Sequence, residues 1–363
     1  MALPTSSTWW RQPVRACCRR SVVRILRGED LKPCNSLSLL ARASALVNIH
    51  DSRDLPRACK WARERGLDVV ALGQGSNVVL AGDLEALVLR LQTRGMEILE
   101  DRGDTVLLRV AAGEDWHGLV QWTLQHGFHG LENLALIPGT AGAAPIQNIG
   151  AYGVELESFV ERVHALEISS GDSLSLDAAE CRFSYRDSIF KGELRDRTLI
   201  TAIELRLPRQ SAVNISYPAL EDYFRDRDGR DVTPGDVFAA VVDIRSAKLP
   251  DPATFPNAGS FFKNPVVTPE RARELASAFP GMPQFPQGDG VKLPAAWLIE
   301  HCGWKGYRDQ GIGVHPQHAL VLVNYGGDSG EQLLALADRI AASVRDSFVI
   351  ELEIEPRVYG RRQ

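Results

Sequence analysis

The spacing of apolar residues along the chain alternates between the periods that mark strands and helices. Residues 46–49 and 67–72 are short apolar runs typical of buried strands, and the polar stretch 54–65 between them has helical character. Residues 114–126 predict an amphipathic helix, because acidic residues begin it, apolar residues recur on one face and a glycine ends it. The chain therefore opens as a β-α-β unit.

The pattern changes in the second half of the chain. Two further strands are predicted between residues 163 and 203, and Pro- and Gly-rich loops follow beyond residue 246. Helices are predicted over 295–301 and 330–345, and apolar residues alternate with acidic ones over 348–359, as in a half-buried strand. The whole is a mixed α+β chain whose smaller third domain begins near residue 246.

Composition limits the class of protein. The chain has 363 residues, of which 44% are hydrophobic and 24% charged, so we expect two or three globular domains, each large enough to bury its own core. The formal net charge is −5, which leaves no global basic field for nucleic acid or an anionic membrane. Apolar runs long enough to span a bilayer, about 18 residues, do not occur in the sequence.

Cysteine usage predicts a cytoplasmic enzyme with reduced thiols. The six cysteines lack a C-x-x-C pair and zinc-finger spacing: Cys17, Cys18, Cys34, Cys59, Cys181 and Cys302. Residues 1–27 stand apart, with six arginines and no acidic residue. We favour a disordered tail or an over-extended start for them over a targeting leader, since an uninterrupted apolar stretch is missing.

A glycine-rich turn follows the predicted strand 67–72. Gly73 and Gly75 form a G-x-G pattern, but Val78 stands where a dinucleotide-binding fingerprint requires its third glycine. The remaining turn has small residues whose backbone N–H groups can converge on a pyrophosphate. From this segment alone, a plain tight turn is the favoured interpretation.

An uncharged segment covers residues 133–154 and is interrupted repeatedly by glycine and proline, which excludes a membrane helix. Small side chains let the backbone approach a flat ligand closely, and Gln147 and Asn148 supply polar contacts. A buried, glycine-rich domain junction has the same composition. Both interpretations stay open on composition alone.

Three single residues are candidates for chemistry. Arg186 lies among aromatic residues and can bind a carboxylate, although a surface ion pair with Asp187 is the commoner arrangement. Ser260 is outside any G-x-S-x-G motif but can donate a proton in a dry site, whereas the segment alone favours a turn serine. Glu355 shares its strand face with two other acids, a pattern usual for solvent-facing residues.

A metal site is not expected. His315 and His318 are three residues apart, but the sequence offers no third ligand beside them.

The order of these segments is more specific than any one of them. In this order they resemble the UDP-N-acetylenolpyruvoylglucosamine reductase family over about residues 35–360, on the segments LGQGSNVVL, IPGTAGAAPIQNIGAYG, YRDSIF, Lys248-Leu249-Pro250, NAGSFFKNP and LEIEPRVYG. The resemblance implies an α+β fold with a two-subdomain FAD-binding part of the PCMH type and a smaller α+β substrate-binding domain.

The resemblance also implies a division of the chain. We expect a basic, disordered extension over 1–30, FAD-binding subdomain 1 over 31–97, subdomain 2 over 98–247, a substrate-binding domain over 248–347, and a C-terminal strand over 348–363 that returns to the FAD-binding part.

The implied activity is reduction of UDP-N-acetylglucosamine enolpyruvate to UDP-N-acetylmuramate for peptidoglycan, with NADPH as reductant and non-covalent FAD as carrier. Matched residue by residue, the family's catalytic positions fall on Arg186, Ser260 and Glu355. Arg186 and a protonated Glu355 would stabilise negative charge after hydride transfer, and Ser260 would protonate the neighbouring carbon. We expect a cytoplasmic monomer without nucleic-acid or membrane partners.

The resemblance assigns binding residues as well. The FAD positions are Gly73, Gly75, Ser76, Asn77, Pro138, Gly139, Asn148 and Gly150, and the substrate positions are Tyr217, Lys248, Asn264 and Gln317. Tyr217 and the long tract 279–327 favour the class in which a tyrosine loop covers the UDP-sugar.

Two other hypotheses compete with the reductase. An oxidase with covalent flavin needs a flavinylated His or Cys, and the Gly-rich segments contain neither. A flavin- or UDP-sugar-binding protein without turnover has no need for Arg186, Ser260 and Glu355 together.

Overall fold

The computed structural model describes residues 24–360, so most of the basic segment, including Cys17 and Cys18, lies outside the described residues. The helices are α1 (Leu55–Arg63), α2 (Trp116–Gln125), α3 (Pro218–Tyr223), α4 (Pro234–Lys248), α5 (Pro269–Ala278), α6 (Ala295–His301) and α7 (Gly330–Phe348). The strands are β1 (Leu26–Asp30), β2 (Arg42–Ile49), β3 (Asp68–Leu72), β4 (Val78–Leu80), β5 (Leu84–Leu91), β6 (Met96–Asp101), β7 (Thr105–Ala111), β8 (Gly150–Ala151), β9 (Val154–Glu155), β10 (Val160–Glu167), β11 (Ser173–Asp177), β12 (Thr198–Pro208), β13 (Asn257–Ser260), β14 (Val266–Val267), β15 (Phe285–Gln287), β16 (Gly290–Lys292), β17 (Arg308–Asp309), β18 (Ile312–Val314), β19 (Val321–Asn324) and β20 (Arg357–Tyr359).

The predicted β-α-β opening is confirmed as part of a four-stranded sheet in the order β1-β2-β5-β3. Strands β2, β5 and β3 run parallel, and they are apolar on both faces because both faces are covered. Helix α1 packs Leu55, Ala58 and Ala62 against one face. The position of β3 in this sheet fixes the exit point of the glycine-rich turn that follows it.

The N-terminal extension expected over residues 1–30 ends earlier than expected, because its last residues belong to the fold. Residues 26–30 form the edge strand β1, which pairs antiparallel with β2 from Leu26 opposite Leu46 to Asp30 opposite Arg42. Leu26 also packs against the core, and this contact brings the segment into the fold.

A second, antiparallel sheet has the order β11-β10-β12-β7-β6. Its inner face packs against α2 and α4 in a core of its own, with Trp116 and Leu119 among the fully buried residues. The predicted helix over 114–126 is confirmed as α2, whose first turn is capped by the Asp115 carboxylate accepting from the Gly118 N–H at 2.6 Å.

The third part of the chain buries a core that is continuous with that of the first sheet, in contrast to the expected separate core for each domain. Its sheets β13-β19-β18-β17 and β14-β16-β15 surround α5, α6 and α7. Apolar residues of α7 and β19 pack in one cluster with residues of the first sheet, such as Val70 and Val88.

The predicted strand over 348–359 is wrong over most of its length. Helix α7 continues to Phe348, whose side chain is buried on the same helix face as Ile340 and Val344, and Val349 ends the helix with a left-handed backbone. Only Arg357–Tyr359 forms a strand, which pairs parallel with β4. The alternation of apolar and acidic residues lacks a continuous partner strand, and a strand needs one.

Among the described residues, none of the helices combines the length and the apolar character needed to cross a bilayer.

Candidate active site

Two adjoining cavities lie between the three parts of the chain, with volumes of about 430 and 690 Å³. Both volumes are in the range typical of small-molecule and cofactor sites. The cavities meet at an edge formed by seven residues: Ser76, Asn77, Ile137, Pro138, Gln147, Ile149 and Glu355. Molecules bound in the two cavities would therefore lie next to each other at this edge.

The first cavity is walled by the turn after β3, by the uncharged segment, and by apolar residues of the two large sheets. Gly73 and Gly139 both line it. A Cβ atom at Gly73 would lie 2.6 Å from Thr140 Oγ1, and Gly139 has a φ of +125°, a conformation open to glycine. Gly75 lies behind the wall, where a Cβ would lie 2.0 Å from the Cys34 carbonyl oxygen.

Hydrogen bonds join the two loops of the first cavity. The Gly139 N–H donates to Gln74 Oε1 at 3.1 Å, and Asn77 Nδ2 donates to Gln147 Oε1 at 3.0 Å. The cavity has two glycines, a neighbouring serine hydroxyl and apolar walls. These features fit a flat, dinucleotide-sized group such as the FAD that the resemblance implies. The uncharged segment is therefore a cavity wall.

Asn148 does not reach either cavity, in contrast to the contact expected for it. Its side chain is fully buried, and it donates to Glu155 Oε2 at 3.1 Å and accepts from the Glu157 N–H at 3.0 Å. Its backbone is left-handed, with a φ of +41°. Asn148 shapes the loop beside the site from within the protein, whereas Gly150 and Pro138 line the second cavity.

The second cavity brings together the three predicted reactive residues, because Arg186, Ser260 and Glu355 all line it. Arg186 lies in a tight turn where the backbones of Ser184 and Asp187 exchange two hydrogen bonds of 3.1 Å. Its φ is +55°, a left-handed conformation that costs a non-glycine residue about 1–3 kcal/mol. Such a cost is typical of positions where function requires a fixed side-chain direction.

Ser260 and Glu355 are brought close by two chain segments that run antiparallel. The Glu355 N–H donates to the Phe261 carbonyl at 2.9 Å, and the Lys263 N–H donates to the Glu353 carbonyl at 2.9 Å. Phe261 and Phe262 are buried in the shared core directly after Ser260. The core therefore anchors the end of β13 and holds the serine at the cavity wall.

Glu355 is an acid in a buried setting. Burial raises the pKa of its carboxyl, against the opposing charges of Arg186, Lys191 and Lys263. Arg186 Nε lies 3.8 Å from Glu355 Oε1, and 14% of the glutamate side chain is exposed. A carboxyl in this position holds its proton to a higher pH than an exposed glutamate and can donate a hydrogen bond.

Sequence reasoning missed several charged or titratable residues of the second cavity, of which Arg245 and His117 stand out by their hydrogen bonding. Arg245, on the last turn of α4, lines the cavity with a buried Nε that has no hydrogen-bond partner among the described residues. His117 lines it as well, and its Nδ1 accepts from the Leu136 N–H at 3.0 Å, which leaves the ring proton on Nε2 when the imidazole is neutral. Burial lowers the pKa of His117 and of Arg245. Neither residue belongs to a sequence motif that would have marked it.

The four residues expected to bind substrate are not among the residues that line the second cavity. Tyr217 is 44% exposed and packs edge-on against Tyr152 at a centroid distance of 5.3 Å. Asn264 Oδ1 accepts from the Ala295 N–H at 2.9 Å, so it caps α6. Lys248 ends α4, and Gln317 is exposed beside the stacked rings of His315 and His318.

The sequence matches two family models. Residues 251–359 match the C-terminal domain of UDP-N-acetylenolpyruvoylglucosamine reductase, and residues 43–176 match an FAD binding domain. The first model covers the region of Ser260 and Glu355, and the second covers both walls of the first cavity that come from glycine-rich loops.

Relatives and a solved structure agree with these models. The chain is 48% identical over 331 residues to UDP-N-acetylenolpyruvoylglucosamine reductase of Pseudomonas aeruginosa, covering 91% of this chain and 97% of the relative. It is 47% identical over 332 residues to the enzyme of that name from Chromobacterium violaceum, with the same coverages. The crystal structure of UDP-N-acetylenolpyruvylglucosamine reductase (MurB) from Thermus caldophilus matches 93% of this chain and 99% of its own, with a TM-score of 0.64 and 24% identity, which supports the fold.

Proposed function

The chain belongs to the UDP-N-acetylenolpyruvoylglucosamine reductase family, and we propose that it reduces UDP-N-acetylglucosamine enolpyruvate to UDP-N-acetylmuramate with NADPH and FAD. The observation that carries the proposal is the shared edge of the two cavities. Glu355 lines both, and Arg186 and Ser260 line the second beside it. A cofactor in the first cavity and an enolpyruvyl ether in the second would meet at the three reactive residues.

FAD, when bound, supplies a carrier that takes a hydride from NADPH and delivers it to the vinyl methylene carbon of the substrate. Negative charge then develops on the substrate carboxylate, and fixed hydrogen-bond donors and positive charge stabilise such charge most in a dry site. Arg186 supplies the positive charge. Glu355 donates a hydrogen bond in its protonated form, which burial favours by raising the pKa of the carboxyl.

The Ser260 hydroxyl completes the reduction by donating a proton to the carbon next to the carboxylate. A serine is a weak acid, but the charged carbon is a strong base, so the transfer is favourable. The serine regains its proton from solvent, and the balance is one hydride from NADPH and one proton from water added across the double bond.

The cofactor is held by this chain's own loops. Gly73 and Gly139 leave room for the backbone to approach the dinucleotide, while Ser76 and Asn77 offer a hydroxyl and an amide at the edge of both cavities. Gly75 supports this wall from behind. Pro138 and Gly150 are assigned to the flavin end, where the second cavity begins.

The substrate's nucleotide end is assigned to Tyr217, Lys248, Asn264 and Gln317. Tyr217 precedes α3 at the end of a loop, and its side chain is exposed. This position supports a role in which Tyr217 covers the bound UDP-sugar, as in the tyrosine-loop class. Lys248 and Asn264 suit the diphosphate. The expected domain division and a monomeric, cytoplasmic enzyme are part of the same proposal.

Anaerobic visible spectroscopy of the purified protein tests the proposal. We expect a yellow flavin band that bleaches on addition of NADPH and returns on addition of UDP-N-acetylglucosamine enolpyruvate. Bleaching without return would reject this substrate, and absence of a flavin band after loading with FAD would reject the flavoprotein as a whole.

A further inference from the structure

Lys191 lies between the Arg186 turn and the segment that carries Glu355. Its Nζ donates a hydrogen bond of 3.0 Å to the backbone carbonyl of Arg186. That carbonyl belongs to the residue with the left-handed φ of +55°. The lysine side chain therefore hydrogen-bonds to the residue whose left-handed backbone sets the direction of the Arg186 guanidinium.

The lysine also shares a cavity wall with the catalytic glutamate. Lys191, Glu353 and Glu355 all line the first cavity. The lysine is half-buried, and it forms no ion pair with a carboxylate among residues 24–360. A half-buried cation that hydrogen-bonds to a neutral carbonyl and faces the like charge of Lys263 costs stability, so a packing role alone does not explain it.

The charges around this pair come from three segments. Arg186 and Asp187 belong to the turn, Lys263 follows β13 and forms an ion pair with Glu353, and Tyr185 lies near Glu355. Burial and the charge of Lys263 lower the pKa of Lys191, whereas Glu353 and Asp187 oppose them. Lys191 in turn opposes the burial that raises the pKa of Glu355.

We propose that Lys191 is a positioning residue for the reductase, which holds the Arg186 backbone in its left-handed conformation and places a positive charge beside Glu355. The inference rests on the proposed function. Without the hydrogen bond, the turn relaxes and Arg186 loses its alignment with the substrate carboxylate. Without the charge, Glu355 keeps its proton to a higher pH.

The test compares three variants loaded with FAD: Lys191→Met, which removes hydrogen bond and charge, Lys191→Arg, which keeps both, and Lys263→Met, which leaves the Arg186 hydrogen bond intact. We expect Lys191→Met to lower kcat for the enolpyruvyl substrate about tenfold or more. In the pH profile of kcat, the fall on the alkaline side should move to a higher pH by about 0.5–1 unit, and we call this fall the alkaline limb. Lys191→Arg should restore the limb. Lys263→Met removes another charge that opposes the burial of Glu355, so it should move the limb in the same direction as Lys191→Met, but it should keep kcat within about threefold of the wild type because the hydrogen bond to Arg186 remains.

The FAD dissociation constant is measured for each variant by flavin fluorescence, together with the rate of flavin reduction by NADPH. Unchanged values support a role at Arg186 and Glu355. Strong loss of FAD from Lys191→Met with a normal kcat and pH limb in the loaded fraction would overturn the proposal in favour of cofactor binding. A lower kcat with an unmoved limb would overturn the charge role.

If Lys191→Met does not fold, Lys191→Gln, which is neutral but polar, is used in its place. The proposal then requires the same shift of the alkaline limb in Lys191→Gln. Absence of wild-type turnover would reject the proposed function itself. Normal wild-type turnover with an unaffected Lys191→Met would reject only the inference about Lys191.

Discussion

The two cavities share an edge but differ in the residues that wall them. The first combines glycine positions and apolar strand residues with charged side chains such as Lys191 and Glu353, whereas the second brings together Arg186, Arg245, Glu355 and Ser260. The glycine positions of the first cavity lie in two continuous loops, whereas Arg186, Arg245, Ser260 and Glu355 come to the second from four separate segments. Shape can thus be specified locally, but reactivity requires that distant segments be brought together by the fold.

The comparison predicts that changes in the second cavity impair substrate reduction and leave flavin reduction intact. The largest effect is expected for Ser260→Ala, which removes the proposed proton donor and should slow substrate reduction roughly 10²–10⁴-fold. Stopped-flow absorbance should show flavin bleaching by NADPH at the normal rate and slow reoxidation by substrate. Ser246→Ala, on the wall of the same cavity, is the matched control, and normal turnover of Ser260→Ala would remove this serine from the mechanism.

Glu355→Gln should have the next largest effect, about a hundredfold on substrate reduction, because the amide still donates a hydrogen bond but fits the charge less well. The pH profile carries the sharper result. Since burial raises the pKa of Glu355, its protonated form persists below that pKa and is lost as the pH rises through it. The wild-type rate should therefore fall on the alkaline side, and Glu355→Gln should lack that limb. A limb that remains in the variant would assign it to another group.

Arg245→Met should raise KM for the enolpyruvyl substrate about tenfold to a hundredfold, since an ionic hydrogen bond contributes about 1.5–3 kcal/mol. The buried, unpartnered Nε motivates this expectation. Steady-state kinetics with Arg225→Gln, an exposed arginine paired with Asp222, provide the control. An unchanged KM would mean that Arg245 binds no anionic group of the substrate.

The smallest effect is expected in the first cavity. Gly73→Ala places a Cβ atom 2.6 Å from Thr140 Oγ1, so the wall must shift, and FAD affinity should fall about tenfold. Titration of apoprotein with FAD, followed by fluorescence, measures this. Gly235→Ala on α4 introduces a Cβ with only ordinary contacts and should bind FAD normally. Equal affinity in both variants would show that Gly73 is not close to the dinucleotide.

Much of the fold followed from local pattern. The predicted helices at α1, α2, α6 and α7 and the strands at β2, β3, β10 and β12 are all present in the structure. These elements are long or strongly periodic, so neighbouring residues specify them. The wrong predictions of secondary structure lie where the local pattern does not match the available partner strand. β1 pairs with β2 although its own periodicity is weak. Residues 349–356 have the alternation of a strand but form only scattered hydrogen bonds with another chain segment.

The order of motifs in the sequence was sufficient for the family and the reaction, and it predicts catalytic roles for Arg186, Ser260 and Glu355, because each lies in a specific local segment. Tertiary structure alone decided the environment of these residues. Glu355 is buried because three chain segments pack around it. Asn148 is directed away from a ligand by its hydrogen bonds to Glu155 and Glu157. Arg245 and Lys191 become candidates only because the fold places them at the second cavity and beside the Arg186 turn. Electrostatic interactions act through space between residues far apart in the chain, so no local pattern encodes them.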